Sequence, residues 1–371
     1  MRILIAPDKF KGSLSAREVA ENIAAGIGQV LPDAKIDVMP LADGGEGTAE
    51  VICDALGGAW RTCRAHGPLG REIEALYAFV DDRELAIMEM SEAAGMRRLR
   101  PNEYNVDLAN SFGVGEMLLD AVRRGAGEII IGLGGSATND GGFGMARALG
   151  FEFFPVGAKL DGFKPSSLQE LERIDRPHDL KLSRIVAAVD VRNPLLGENG
   201  ATRVFGPQKG ATPDKIEMLE RALARLADIV AKEFGFDYRN EPGAGAAGGL
   251  GFGLMSFCGA KIRPGFDVVA EAVGLEAKMQ DVDLVITGEG SLDRQTLEGK
   301  TPAGVARLAR KRGKPVFAFV GRAVEDRQVR ELFNAVYENA RPGMSDAENM
   351  QRAPELLREN ARELAGRCNA R

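Results

Sequence analysis

Carboxylates, small hydroxyls and lysines recur at a few glycine-rich places in this chain. Asp8, Lys9 and Lys11 follow a short apolar run, and Asp43 and Glu46 flank Gly44 and Gly45. Ser136, Thr138, Asn139 and Asp140 crowd a turn after Ile129-Ile130-Ile131; Asp190 ends AAVD; Glu289 and Asp293 stand in ITGEGSLDRQT. Mg²⁺ takes oxygen ligands, usually one or two carboxylates plus phosphate oxygens and water. Phosphoryl transfer then needs positioning and charge stabilisation, which this inventory supplies. Asp190 is placed to accept an alcohol proton or bind a metal; an Asx turn into Asn193-Pro194 is the plain alternative. Glu289 and Asp293 suit a metal or a base, with a capped turn as the alternative. Asp43 and Glu46 suit substrate hydroxyls or Mg²⁺, or helix capping. Lys9, Lys11, Lys209 and Lys300 are point charges for carboxylate or phosphate, although solvated surface is the common fate of lysine.

The stretch from Glu128 to Gly150 is the most specific: a β-branched strand, a Gly/Ser/Thr turn, then a helix. Such a turn directs N–H groups at one place and binds phosphate. Gly134, Gly135, Ser136, Thr138 and Asp140 are the candidate phosphate-binding residues, and Asn139 or Asp140 the candidate helix cap. Gly132-x-Gly134-x-x-Ala137 also fits a dinucleotide fingerprint, with Glu152 about 20 residues on as a ribose partner. That opens a nicotinamide-dependent alternative. Gly299-Lys300-Thr301 is not a P-loop, because Arg294 occupies the place of the first glycine. Gly243-x-Gly245-x-x-Gly248 follows no clear strand. Protein-kinase and G-x-S-x-G hydrolase signatures do not occur.

The elements that must position these groups alternate. Arg2–Ala6 reads as a strand, Ser15-x-x-Glu18 as a capping box, and Val19, Ile23 and Ile27 as one helical face. A strand at Lys35–Leu41 and a helix after Thr48 continue a βαβα pattern. Trp60–His66, Glu72–Val80 and Glu84–Met90 read as antiparallel strands with a hairpin at Asp81-Asp82-Arg83. Further on, a helix at Ser111–Arg124, a strand at Arg184–Val189, a helix at Pro213–Phe234, a loop at Pro242–Gly253 and a helix at Phe266–Val273 are expected. Asp283–Thr287, Thr301–Lys311, Pro315–Val320 and Pro354–Gly366 resume the alternation. The expected class is α/β with two domains. Residues 1–58 and 281–371 form an open parallel, Rossmann-like or flavodoxin-like sheet, and residues 59–280 an inserted mixed α/β domain. Ligands collect at strand carboxyl ends in such sheets.

The 371 residues, 44% hydrophobic and 27% charged, suffice for two globular cores. A net charge of −6 and no basic tract argue against nucleic acid or an anionic membrane as partner. Four cysteines without a C-x-x-C pair, and only His66 and His178, argue against structural zinc. Both histidines read as structural or surface residues. With no signal-peptide pattern and no long apolar run, a cytoplasmic enzyme is expected, as monomer or homodimer.

Taken together, the motifs resemble the bacterial type I glycerate kinase family. The matching stretches, in order, are IAPDKFKGSLSA, PLADGGEGTAE, IIIGLGGSATNDGG, DVRNPLLG, VFGPQKGATP, GAGAAGGLGFG, LVITGEGSLDRQT and GKTPAGVA. The resemblance implies a two-domain α/β enzyme with its site in a cleft. It implies ATP and Mg²⁺ as cofactors and D-glycerate as substrate, with phosphate placed on the 2-hydroxyl. On that reading Asp190, Asp293 and Lys9 are catalytic. Asp8, Lys11, Ser13, Asp43, Glu46 and Asn193 bind the acid. Gly134, Gly135, Ser136, Thr138, Asp140 and Lys300 bind nucleotide, and Glu289 and Asp293 bind metal. The chain departs from the family at Lys9, where many members have serine, at Val106 for proline and at Val114 for threonine; it matches least from Arg341 on. A kinase for another hydroxy acid or sugar acid, and a sensor without turnover, are the rival readings.

Overall fold

The computed structural model describes residues 1–155, 159–160, 162–294, 296, 300–324 and 326–369. Among the described residues thirteen strands follow in chain order: β1 (Arg2–Ile5), β2 (Lys35–Val38), β3 (Ala59–His66), β4 (Glu72–Val80), β5 (Leu85–Glu89), β6 (Glu128–Gly132), β7 (Glu152–Pro155), β8 (Leu171–Asp175), β9 (Arg184–Val189), β10 (Lys261–Pro264), β11 (Leu284–Leu292), β12 (Val316–Ala323) and β13 (Ala335–Glu338). The chain divides into two compact units: Met1–Asp43 with Phe266–Arg371, and Gly44–Gly265.

The first unit holds a five-stranded sheet of order β13-β12-β11-β1-β2. Every pairing in it is parallel, as the alternating pattern requires. β1 sits beside β11 with Ile3 opposite Leu284 and Ile5 opposite Ile286, so the two ends of the chain share one sheet. Helix Ala16–Gly28 carries the expected capping box: Ser15 Oγ accepts from Glu18 N, and the Glu18 carboxylate accepts from Ser15 N. Its buried face, Val19, Ala20, Ile23 and Ile27, packs with Leu357, Ala361 and Leu364 of helix Asp346–Asn369. The helices touch closely at Gly26, where a Cβ would lie 2.5 Å from the Arg358 carbonyl oxygen.

That last helix starts at Asp346, not at the expected Pro354, which lies inside it. The start is local chemistry: Ser345 Oγ accepts from Glu348 N at 3.2 Å. β11 likewise runs on to Leu292 rather than stopping at Thr287. Gly288 permits this, since a Cβ there would meet the Phe319 carbonyl oxygen of β12 at 2.1 Å.

The second unit holds a six-stranded sheet of order β10-β9-β6-β5-β4-β3. β3, β4 and β5 are antiparallel neighbours, while β5, β6, β9 and β10 run parallel. Asp81–Arg83 makes the tight turn between β4 and β5. Helices Phe112–Arg123 and Pro213–Phe234 contribute to one continuous apolar core that includes Met117, Leu118, Ile129, Ile131, Leu223 and Leu226. Helix Thr48–Leu56 packs on β4 and β5 and belongs to this unit, so the division falls at Asp43, earlier than residue 58. At the other end it falls after Gly265, the first residue of helix Gly265–Ala272. β7 and β8 form a separate two-stranded sheet.

The expected loop at Pro242–Gly253 is mostly helical, Ala246–Cys258, broken where Ala247, Gly248 and Gly249 take left-handed dihedrals. The break has a packing cause. A Cβ on Gly248 would lie 1.9 Å from the Thr138 carbonyl oxygen, and one on Gly253 would lie 2.6 Å from that of Gly141. The two glycine-rich segments interlock. Val106 and Val114 are wholly buried, and Val114 belongs to the apolar core, which explains why an apolar residue is accommodated there.

Candidate active site

In the first unit, β1 leads its chain directly into the chemistry. Ala6 N donates to Ile286 O and Asp8 N to Gly288 O, which extends the parallel ladder and sets Asp8 beside the carboxyl-terminal half of β11. The Asp8 carboxylate accepts from the Thr301 hydroxyl at 2.7 Å and from Lys9 N at 2.7 Å. Burial, then the negative charge of Asp43, pushes Asp8 up to about 7; the Lys9 charge and both hydrogen bonds oppose this. Glu289, in β11, accepts from Thr296 Oγ1 at 2.6 Å. It too is pushed up to about 7, first by burial and also by Asp8 and Asp293, against the Thr296 hydrogen bond and Lys300.

Asp8 and Glu289 line one cavity of about 460 Å³ together with Lys9, Lys11, Ser13, Asp43 and Lys300. Asp293 stands next to it, with Lys300 Nζ 3.9 Å from its Oδ1. Ser13 spends its hydroxyl on Met350 O at 2.8 Å, so it fixes the wall rather than offering a free donor. The cavity is completed by residues the sequence did not single out: Phe10, Gly290, Ser291, Gly321, Arg322, Asp346, Asn349, Met350 and Ala353. Asn349 Nδ2 donates to Gly321 O at 3.0 Å, tying the last helix to β12. Gln295, Leu297 and Gly299, parts of the motifs around Asp293 and Lys300, lie outside the described residues.

In the second unit the turn after β6 holds its polar groups inward. Ser136 Oγ accepts from Thr138 N at 3.1 Å and lies 3.1 Å from Thr138 Oγ1. Lys209 reaches the same place: its Nζ donates to Thr138 O at 2.7 Å and to Ser136 Oγ at 3.2 Å. Asp140 is wholly buried and accepts from Ser111 N and Oγ, Gly142 N and Gly144 N, at 2.8–3.0 Å. It staples the start of helix Phe112–Arg123 to that of Phe143–Ala148, and burial raises its pKa. Its expected phosphate contact therefore gives way to a structural role. Asn139 is not the helix cap; Gly142 holds that place, and Asn139 Nδ2 donates to Thr202 Oγ1 at 3.0 Å.

Two of the fingerprint glycines also have a packing reason. A Cβ on Gly132 would meet the Gly44 carbonyl oxygen at 2.5 Å, and one on Gly134 the Gly45 Cα at 2.8 Å. The Gly44–Gly47 loop lies against them, anchored by Glu89, whose Oε1 accepts from Gly47 N at 2.8 Å and Ala49 N at 3.2 Å. Glu152 lies in β7, outside the sheet that contains β6, and pairs with Lys159. The dinucleotide geometry is thus not reproduced. Glu46 is exposed on its loop, and Asp190 is exposed just past β9. Asn193 Nδ2 donates to Asn199 O at 2.8 Å, a contact within its own loop. His66 pairs with Glu116 at 2.9 Å, and His178 is exposed.

Among the described residues no three carboxylate, His or Cys side chains converge as a metal cage. A magnesium ion shared with phosphate oxygens needs only one or two carboxylates. Glu289 fits that demand, with Asp293 or Asp8 as the second carboxylate: Glu289 and Asp8 are raised first by burial and then by neighbouring negative charge, which a divalent cation would relieve.

The sequence profile of the Glycerate kinase family matches residues 3–369. The chain belongs to that family. A glycerate kinase from Halalkalibacterium halodurans is 41% identical over 98% of this chain and 97% of its own length. The glycerate 2-kinase of Escherichia coli K12 is 44% identical over 88% of this chain and 86% of its own. A crystal structure of a Salmonella typhimurium LT2 protein, provisionally assigned as glycerate kinase 2, superposes with a TM-score of 0.89 at 41% identity, covering 100% of this chain and 98% of the other. Among family motifs, VFGPQKGATP carries Lys209, whose burial no spacing rule reveals. Among the described residues no helix is long and apolar enough to cross a membrane.

Proposed function

We propose that this member of the glycerate kinase family transfers the γ-phosphoryl group of ATP to the 2-hydroxyl of D-glycerate. The observation that carries the reading is the cavity of the first unit, where Lys9, Lys11 and Lys300 surround two protonatable carboxylates, Asp8 and Glu289. Lysines supply charge to a small carboxylate or phosphate. A carboxyl group that titrates near 7 is matched to proton transfer at neutral pH.

In this reading Asp190 accepts the proton of the attacking hydroxyl, and Lys9 and Lys11 orient the acid. Gly134, Gly135 and the residues behind them hold nucleotide phosphate, with Lys300 screening its charge. Glu289 and Asp293 would hold Mg²⁺, which lowers the charge on the phosphate oxygens when bound. The raised pKa of Asp8 supports a second assignment, with Asp8 as proton acceptor in place of Asp190.

The test is ADP release from MgATP over a panel of hydroxy acids and sugar acids, with ³¹P NMR of the product. Preference for D-glycerate with phosphate on the 2-hydroxyl supports the proposal. Preference for another acid moves it to that acid, and no ADP release with any acid favours a sensor.

A further inference from the structure

Lys209 closes the short turn Pro207–Lys209 and is only 3% exposed. An ammonium carries three donors. Two are matched, by Thr138 O and Ser136 Oγ, and Lys209 forms no ion pair among the described residues. Asp140 lends a favourable field from a distance, yet burial dominates and pulls the ammonium down to about 7. A buried cation with a spare donor and no carboxylate in direct contact is unfavourable unless a ligand supplies one.

The neighbouring loop supplies the rest of a binding site. Gly134 is half-buried and Gly135 exposed, and among the described residues their backbone N–H groups meet no acceptor. Gly135 has φ +70°, a turn that non-glycine residues rarely adopt. Successive N–H groups in such a turn form an anion-binding concavity. The hydroxyls of Ser136 and Thr138 are engaged with each other, so they seat the lysine rather than reaching outward.

We infer that Lys209, held by Ser136 and Thr138, is the cation that pairs with a phosphate group bound on the N–H groups of Gly134 and Gly135. The inference rests on the nucleotide reading above and deepens it. Ser136 and Thr138 are positioning residues, and the third N–H of Lys209 together with the loop amides recognises phosphate oxygens. A bound anion stabilises the protonated amine, so affinity is greatest below pH 7 and weakens as pH rises, by up to about tenfold per unit.

Calorimetric titration of MgADP into the full-length protein, at pH from about 6 to about 8.5, tests this. K209M should bind at least about tenfold more weakly and lose the pH slope attributable to the amine. K209R should keep most of the affinity and also lose that slope, because guanidinium stays charged. Without nucleotide, K209M should melt no lower than the wild type, since removing a buried uncompensated charge relieves a penalty. MgADP binding in K209M within about twofold of wild type, or an unchanged pH slope, overturns the inference. Should K209M not fold, K209Q carries the same reading. A wild type that binds MgADP with this slope but phosphorylates no glycerate defeats the proposed function and leaves Lys209 standing. A wild type that phosphorylates glycerate while K209M binds MgADP normally does the reverse.

Discussion

Thr301 donates its hydroxyl proton to Asp8 at 2.7 Å across 293 residues of sequence. The bond favours the ionised carboxylate and opposes the burial that protonates it. T301V keeps the shape and removes the donor. The pKa of Asp8 should then rise, and the acid limb of kcat/KM should move to higher pH. A hydrogen bond to a charged group is worth about 1.5–3 kcal/mol, so activity near pH 6.5 should drop roughly ten- to a hundredfold, while that near pH 9 should stay within about threefold of wild type. A profile superposable on that of the wild type removes Asp8 from the reacting machinery.

Asp8 also links stability to pH. Its folded pKa, about 7, lies above its unfolded value of 3.8, so between those limits the folded state binds more protons. Its contribution to stability is therefore fully favourable below about pH 4 and is lost as pH rises through 7. D8N removes this penalty. Above pH 8 the variant should be more stable than wild type, by something on the order of a few kcal/mol, while turnover falls. Thermal melts of both proteins at about pH 5 and pH 8.5 check the sign; equal differences at the two pH values contradict it.

Asp190→Asn separates the two candidates for proton acceptor. If Asp190 takes the proton, turnover should fall by roughly 10²–10⁴-fold, the usual span for loss of a general base. MgADP affinity should stay within about twofold. A loss of less than about threefold in kcat hands the role to Asp8.

The interlocked glycine segments predict opposite effects at adjacent positions. G248A puts a methyl group 1.9 Å from the Thr138 carbonyl oxygen at a φ of +67°, and should destabilise by about 3 kcal/mol or more. Ala247 is held at φ 54°, so A247G should be neutral or stabilising by up to about 1 kcal/mol. Urea denaturation of the two variants reads both signs.

Periodicity and capping made much of the first unit legible. Val19, Ile23 and Ile27 sit on one helical face, and Ser15 and Glu18 close it, because both rules act over a single turn. Asp8, Lys11, Asp43 and Glu289 were readable as residues at strand carboxyl ends, and with Lys300 they line one cavity. Arg322 and Asn349 were not. Their place depends on how the last helix lies along β12, and that contact has no local signature. The glycines are ambiguous for a related reason. Gly132, Gly134 and Gly248 are small because another backbone lies against them, and a sequence cannot distinguish this from room for a phosphate. Asp140 and Lys209 exchanged expected prominence because burial, not residue type, decided which was satisfied within the fold and which kept a donor to spare.

The pairing of β1 with β11 bears on how the polypeptide assembles as it leaves the ribosome. All six strands of the larger sheet lie between residues 59 and 264, so that unit can close while the last hundred residues are still being made. β1 emerges before that unit, yet one of its two neighbours arrives only with Leu284–Leu292. An apolar edge that must wait so long is an opening for chaperones, and for unwanted partners when synthesis stalls.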